Sequence, residues 1–212
     1  MAIIGTNITV SVEKTLGTAV AVQAITKANP GVVTAAGHTF DTGDIVKFSI
    51  TAGMVELHQQ ACRISAVTTN GFTLEGLDTT DYSTFTAGNA YEVTDWATVS
   101  NAQSISMPNP APTKIDITTL IDKSKQYAYA LPDAPDGSIN GLYDPSLEAT
   151  TRFRTATKDN DDLVFRIVFA AGQVVVFNAN VSGGSGFDLP ANAAATATVA
   201  FTPLKDVMFY SS

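Results

Sequence analysis

Residues 7–14, NITVSVEK, alternate Ile8, Val10 and Val12 with Thr9, Ser11 and Glu13. That period of two is the mark of a strand with one face buried. AVAVQAI, residues 19–25, continues the pattern until Asn29, Pro30 and Gly31 break it and mark a boundary. Between there and Asp95, the short apolar runs VVT, DIVKFS, CRISAV, FTLEG and AYEV follow one another with turn residues between them. They predict a small β-barrel or sandwich. Its clearest local signal is TTNGFTL, where Asn70 and Gly71 are expected to take the positive φ angles of a two-residue hairpin turn.

WATVSNAQSISM, residues 96–107, returns to strand-like alternation around Val99 and Ile105 and is read as one strand. PNPAP then places three prolines in residues 108–112, and no central strand tolerates that, because each proline lacks a ladder N–H. The following TKIDITTLIDKSKQYAYALPD has strand-forming residues but few periodic apolar anchors. It is predicted to be a long projecting loop or arm, and loops of that length in compact domains usually serve a function. Its alternating threonine, isoleucine and aspartate suit edge pairing with another chain.

GSINGLY predicts another strand, after which Asp144 and Pro145 read as a helix start, the aspartate capping and the proline in the first turn. SLEATTRFRTATK gives one short helix, with Ala149, Phe153 and Ala156 on its buried stripe, Arg152 and Lys158 exposed, and KDNDD ending it. LVFRIVFAAGQVVVFNANV is the strongest hairpin signal, with Leu163, Phe165, Ile167 and Phe169 on one face, Arg166 on the other, and a turn at residues 170–172. A last strand, ATATVAFT, turns Ala197, Val199 and Phe201 inward. The final PLKDVMFYSS carries Val207, Met208, Phe209 and Tyr210, apolar enough at an end that these four are expected to dock.

Composition agrees with strands: threonine, alanine, valine and glycine dominate and apolar runs are short. With 212 residues the chain has enough apolar material for a core without staples. The one cysteine, Cys62 in QQACRI, reads as a small residue on a half-buried strand. MAIIGTNITV lacks the charged start and apolar run of a signal peptide, and no stretch is long enough to span a bilayer. A net charge of −8 argues against a protein that grips nucleic acid through its phosphates. The sign of the charge does not exclude passing contact with DNA, since an acidic surface would let it move by without sticking.

The chemistry of catalysis is missing from the sequence. His38, Asp41 and Asp44 cluster in TAAGHTFDTGDIVKF, but Asp41-Thr-Gly-Asp44 is tight-turn chemistry. The only other histidine, His58, offers no metal-ligand spacing. There is no phosphate loop, no GxGxxG and no GxSxG, and GGSG in residues 183–186 reads as a linker. Asp161 and Asp162 close the helix, where a solvated turn explains them. No enzyme activity, cofactor or metal is expected.

The order of these features resembles the major tail tube proteins of long, flexible-tailed bacteriophages, over residues 1–28 and 96–212. The carrying motifs are GTNITV; KIDITTLIDKSKQYAYALPD followed by GSINGLYDP; the short helix; and LVFRIVFAAGQVVVFNANVSGGSG followed by ATATVAFTPLK. Residues 29–95 look like a small β-barrel-like domain inserted into that pattern and placed on the outer surface. The resemblance implies a mainly β fold, a sandwich or barrel flanked by one short α-helix. It implies a structural virion protein that self-assembles into homohexameric rings, stacked into the hollow tail tube through which the genome is delivered. The implied partners are further copies of itself, other tail proteins at the tube ends, and DNA passing through the lumen without specific binding. Assembly would take place in the host cytoplasm. The arm, residues 108–130, would reach the neighbouring ring, with Ile115, Ile117 and Leu120 as apolar anchors and Asp116, Asp122, Lys123 and Lys125 as charged contacts.

The alternative is a carbohydrate-binding or adhesion module of a phage or bacterial surface, which exposed aromatics in a cleft would favour. Trp96, the only tryptophan, lies instead at the junction of insert and core, a place for packing.

Overall fold

Ser11 and Glu13, on the polar side of the first strand's alternation, are only 1% and 2% exposed. A strand with one solvated face would leave them in water, so this strand is covered on both sides. The computed structural model describes residues 7–108, 111–131, 135–184 and 186–211. Gly5 and Thr6 of GTNITV, Asn109 and Pro110 of PNPAP, Pro132 and Asp133 at the end of the arm motif, and Ser185 of GGSG lie outside the described residues.

The protein is mainly β. Its strands are β1 (Thr9–Leu16), β2 (Val20–Val22), β3 (Ala24–Ile25), β4 (Val32–Thr34), β5 (Ile45–Ala52), β6 (Ala61–Thr68), β7 (Gly71–Leu74), β8 (Ala87–Thr98), β9 (Ala102–Ser106), β10 (Lys114–Asp116), β11 (Tyr127–Tyr129), β12 (Gly137–Leu142), β13 (Asp162–Val168), β14 (Val174–Ser182), β15 (Thr196–Pro203) and β16 (Met208–Tyr210), with helix α1 (Glu148–Asp159) between β12 and β13. One antiparallel network runs β3-β4-β7-β6-β5-β8-β1-β13-β14-β15-β12-β9, with β16 added to β14 and β2 to β8. WATVSNAQSISM is therefore two strands, not one. It turns after Thr98, with the Ala102 N–H donating to the Val99 oxygen at 3.3 Å, and β9 leaves β8 to pair with β12.

Two hydrophobic cores lie on opposite faces of the β13–β14 hairpin. Leu163, Phe165, Ile167, Phe177 and Ala179 point to one, which α1 closes with Ala149, Phe153 and Ala156. Phe165 is fully buried there, its ring 5.1 Å from both Phe177 and Phe201. Val164 and Val176, of opposite parity, join the other core, built from Phe48, Ile64, Phe72 and Leu74 of β5–β7 and completed by Met208 and Tyr210. Burial on both faces explains why LVF and VVVF read as continuous apolar runs rather than alternation. β8 runs from one core to the other: Ala90 and Val93 belong to the second, Ala97 to the first. Val22 of β2 and Ile25 of β3 also lie in the second core.

Several local expectations change. Thr68 pairs with Gly71, so the hairpin loop is Thr69-Asn70, and the positive φ lies at Ala66 (47°), where the register slips between Ser65 and Thr68. Gly71 is required for another reason: it also pairs with β4, and a Cβ there would sit 2.4 Å from the Val33 carbonyl oxygen. Asp144 does not cap the helix, whose N-cap is Leu147. Its Oδ1 accepts instead from the Ser146 N–H (2.8 Å) and hydroxyl (2.6 Å), forming a turn ahead of the first helical residue. Asn160, left-handed at φ 56°, ends α1. Cys62 is fully rather than half buried, and burial pushes its thiol up to about 12.

The seam between the cores is polar. Arg152 is not solvated: its Nε donates to the Glu13 backbone oxygen (3.2 Å), and Nη2 lies 3.4 Å from Glu13 Oε1. Glu13 Oε2 accepts from the Val164 N–H (3.2 Å). Burial raises the Glu13 pKa, and Lys47, that N–H and Arg152 oppose the rise without cancelling it. Asp162, which the sequence placed in a solvated turn, pairs with Lys47 at 2.8 Å and accepts from Asn178 Nδ2. Desolvation would raise its pKa, but Lys47 and Asn178 prevail and hold it below the usual aspartate value.

A depressed carboxylate contributes stability that is present above its unfolded pKa and lost as pH falls through its folded value. Lys47→Met is therefore expected to cost about 2 kcal/mol at pH 7, because it strands a half-buried Asp162. It also removes a charge that eases Glu13. Urea denaturation across pH should show the gap from the unsubstituted protein closing as both acids protonate. A gap of constant size would rule out this origin.

Candidate assembly surface

The arm carries the largest group of apolar side chains left in water. Among the described residues β10 and β11 pair only with each other, in the register Lys114↔Tyr129, Ile115↔Ala128 and Asp116↔Tyr127. Strand alternation puts Ile115 and Ile117 on one face and Tyr127 and Tyr129 on the other, where Lys114 Nζ lies 5.9 Å from each ring. Ile115 and Ile117 are half exposed, and at the tip Leu120 and Ile121 are essentially bare. A two-stranded ribbon with no face on a core is marginal by itself in water.

The arm's polar residues hold its shape. Asp116 Oδ1 accepts from the Thr118 N–H at 2.9 Å, and Asp122 Oδ2 from the Thr119 N–H at 2.7 Å. Hydrogen bonds from the Thr118 hydroxyl and N–H lower the Asp116 pKa, and the Thr119 N–H and hydroxyl lower that of Asp122. Thr118 bridges the hairpin, its Oγ1 accepting from the Gln126 N–H at 2.9 Å. Lys125 lies 3.7 Å from Asp116, and Lys123 is exposed with no ion pair among the described residues. Asp116, Asp122 and Lys125 thus shape the loop internally, while Ile115, Ile117 and Leu120 face outward without cover.

Of the chain-end residues, Met208 and Tyr210 are buried in the second core, Val207 packs against the first, and Phe209 is 76% exposed. β16 lies along β14, and Tyr210 accepts from the Arg63 N–H at 2.7 Å. The main strand path ends at β3 and β9, and β2 and β16 are likewise paired on one side only among the described residues. Such edges are templates for another chain.

The sequence reading overlooked Ile121, Tyr127, Tyr129 and Leu131, which extend the arm's apolar surface. The alternation in YAY was a usable signal for the tyrosines. It also overlooked Phe187 and Leu189, both exposed, and the Tyr143 ring that stacks on Phe187 at 4.7 Å. Nothing in the glycine-rich sequence around them pointed there.

His38 stacks on Phe40 at 5.1 Å, its Nδ1 accepting from the Phe40 N–H, and Asp44 accepts from the Asp41 N–H at 2.6 Å. His58 Nδ1 accepts from the Ile50 N–H at 3.1 Å. These side chains are engaged in turns and packing. Among the described residues no three acidic, histidine or cysteine side chains are grouped to hold a metal, and no helix is long and apolar enough to cross a membrane.

No curated protein matches the chain. A family model described as phage tail tube protein, TTP, matches residues 52–212. The match takes in the arm, α1, the β13–β14 hairpin and the chain end, and also residues 52–95 of the second core. This chain, with its uncovered apolar ribbon and free sheet edges, thus belongs to the phage tail tube protein family, structural proteins of the virion tail.

Proposed function

We propose that this chain assembles into six-membered rings that stack into a hollow tube, the conduit for genome delivery, and that the arm at residues 108–130 makes the contact between rings. The observation that carries the reading is the arm itself. Asp116, Thr118, Thr119 and Asp122 hold its own loop, while Ile115, Ile117, Leu120 and Ile121 stand in water, where burial against a neighbour would stabilise most. Closing a ring of identical subunits can pair free edges such as those at β3 and β9 without exposing new ones.

Residues 29–95 act as an added domain on the outer wall. A net charge of −8 per subunit lets DNA pass the lumen unbound, and only residues within about 8 Å of the phosphates act at physiological salt. Other tail proteins cap the two ends, and assembly takes place in the host cytoplasm.

Electron microscopy of the purified protein over a concentration series tests this. Six-fold rings and stacked tubes are expected, with new density between rings at the arm. A protein that stays monomeric when concentrated, or forms rings of another order, overturns the reading.

A further inference from the structure

Arg166 is a partly buried guanidinium with no acid to answer it. Across the sheet it pairs with Ser11 on β1 and Val176 on β14, and it lies over Trp96 of β8, with Cζ 4.3 Å from the ring centroid. Its Nε and the Ser11 hydroxyl beside it are both buried without a hydrogen-bond partner, and Ser11 is 1% exposed. Other largely buried cations are matched: Lys47 by Asp162, Arg63 by Glu75 and Arg152 by Glu13. Arg166 has no such ion pair among the described residues. Desolvation alone lowers its pKa, with no neighbouring carboxylate to raise it.

A guanidinium has five N–H donors in a rigid fork that fits a carboxylate, and stacking on an aromatic ring fixes the direction of that fork. Arginine and tryptophan together are the residue types that concentrate binding energy where copies meet. We propose that Arg166, braced on Trp96, is the docking point for a carboxylate on a second copy of this chain. The chain's own charge selects that occupant. With 20 acidic residues against 12 basic ones, a neighbouring copy offers mainly carboxylates, and a cation already stacked and partly stripped of water pairs with one at little further cost. This contact is separate from the arm, and it rests on the reading that the chain self-assembles.

Arg166→Gln tests it, with assembly followed by sedimentation over a concentration series and folding by circular dichroism below the assembly threshold. The variant is expected to fold as the unsubstituted protein does, to need about tenfold more protein to assemble, and to lose part of the salt sensitivity of assembly. Arg166→Lys, which keeps the charge but not the fork, should fall between the two. Assembly of Arg166→Gln at the original threshold overturns the proposal. So does unchanged assembly with weakened binding of a short DNA duplex, which would assign the guanidinium to phosphate. If the unsubstituted chain never assembles, the function proposed above fails and this contact with it; if it assembles and only the variant's behaviour disagrees, this contact alone fails. Should Arg166→Gln misfold, the lone tryptophan decides. Acrylamide quenching of Trp96 should drop on assembly of the unsubstituted protein, and unchanged quenching overturns the proposal.

Discussion

Leu120→Asp combined with Ile121→Asp is expected to abolish tubes while leaving the monomer folded. Both side chains are at the arm tip and more than 90% exposed, so no core contact is lost when they change. The loop that carries them is held by Thr118, Thr119, Asp116 and Asp122, which remain. In the assembled tube the same positions would be buried, and two unpaired carboxylates per arm would have to lose their water. Each such burial costs several kcal/mol, so the concentration required should rise by more than about a hundredfold. The melting curve of the dilute protein should match that of the unsubstituted chain, and electron microscopy of the concentrated variant should show no stacks. Tubes of ordinary length would remove the arm from the contact between rings. Hydrogen exchange gives an independent check: the N–H groups of β10 and β11 should gain protection on stacking, and equal protection before and after would count against the role.

The largest effect on stability is expected at Phe165. It is fully buried, with its ring parallel to Phe177 within 5° and against Phe201. Phe153 of the helix packs on it at 6.2 Å. Phe165→Ala opens a cavity between three rings that are themselves held by strands β14 and β15 and by α1. Little can collapse into the space, so a loss of about 3–5 kcal/mol is expected in chemical denaturation, corresponding to a fall of roughly 10 °C in the melting temperature. Phe209→Ala provides the contrast, since that ring is 76% exposed and its removal should leave monomer stability nearly unchanged. Equal losses at the two positions would mean that Phe165 is not the keystone of the helix-side core.

Which parts of this protein can be read directly from the chain follows from the range of the forces involved. The α1 stripe of Ala149, Phe153 and Ala156 is legible because helix spacing is local, and the inward set Ala197, Val199 and Phe201 because strand alternation is local. The order of short strands and the bare, proline-flanked arm are legible for the same reason. The family resemblance, resting on the order of motifs, led to the class that the family match supports.

What residue order could not supply is the other side of each strand. Ser11 and Glu13 look like a solvated face, yet Glu13 is buried beneath Arg152 of α1 and the Val164 N–H, partners more than 100 residues away. Asp162 looks like the end of a helix, yet Lys47, on a strand of the other core, pairs with it. Asn70-Gly71 looks like a positive-φ turn, yet β4 takes up the glycine's bare edge. Local pattern by itself determined the strands, the helix and the arm, because those depend on neighbours a few residues apart. Only the tertiary structure decided that β13 and β14 stand between two cores and that Arg166 meets no acid among the described residues, because both depend on which distant strands meet across the sheet.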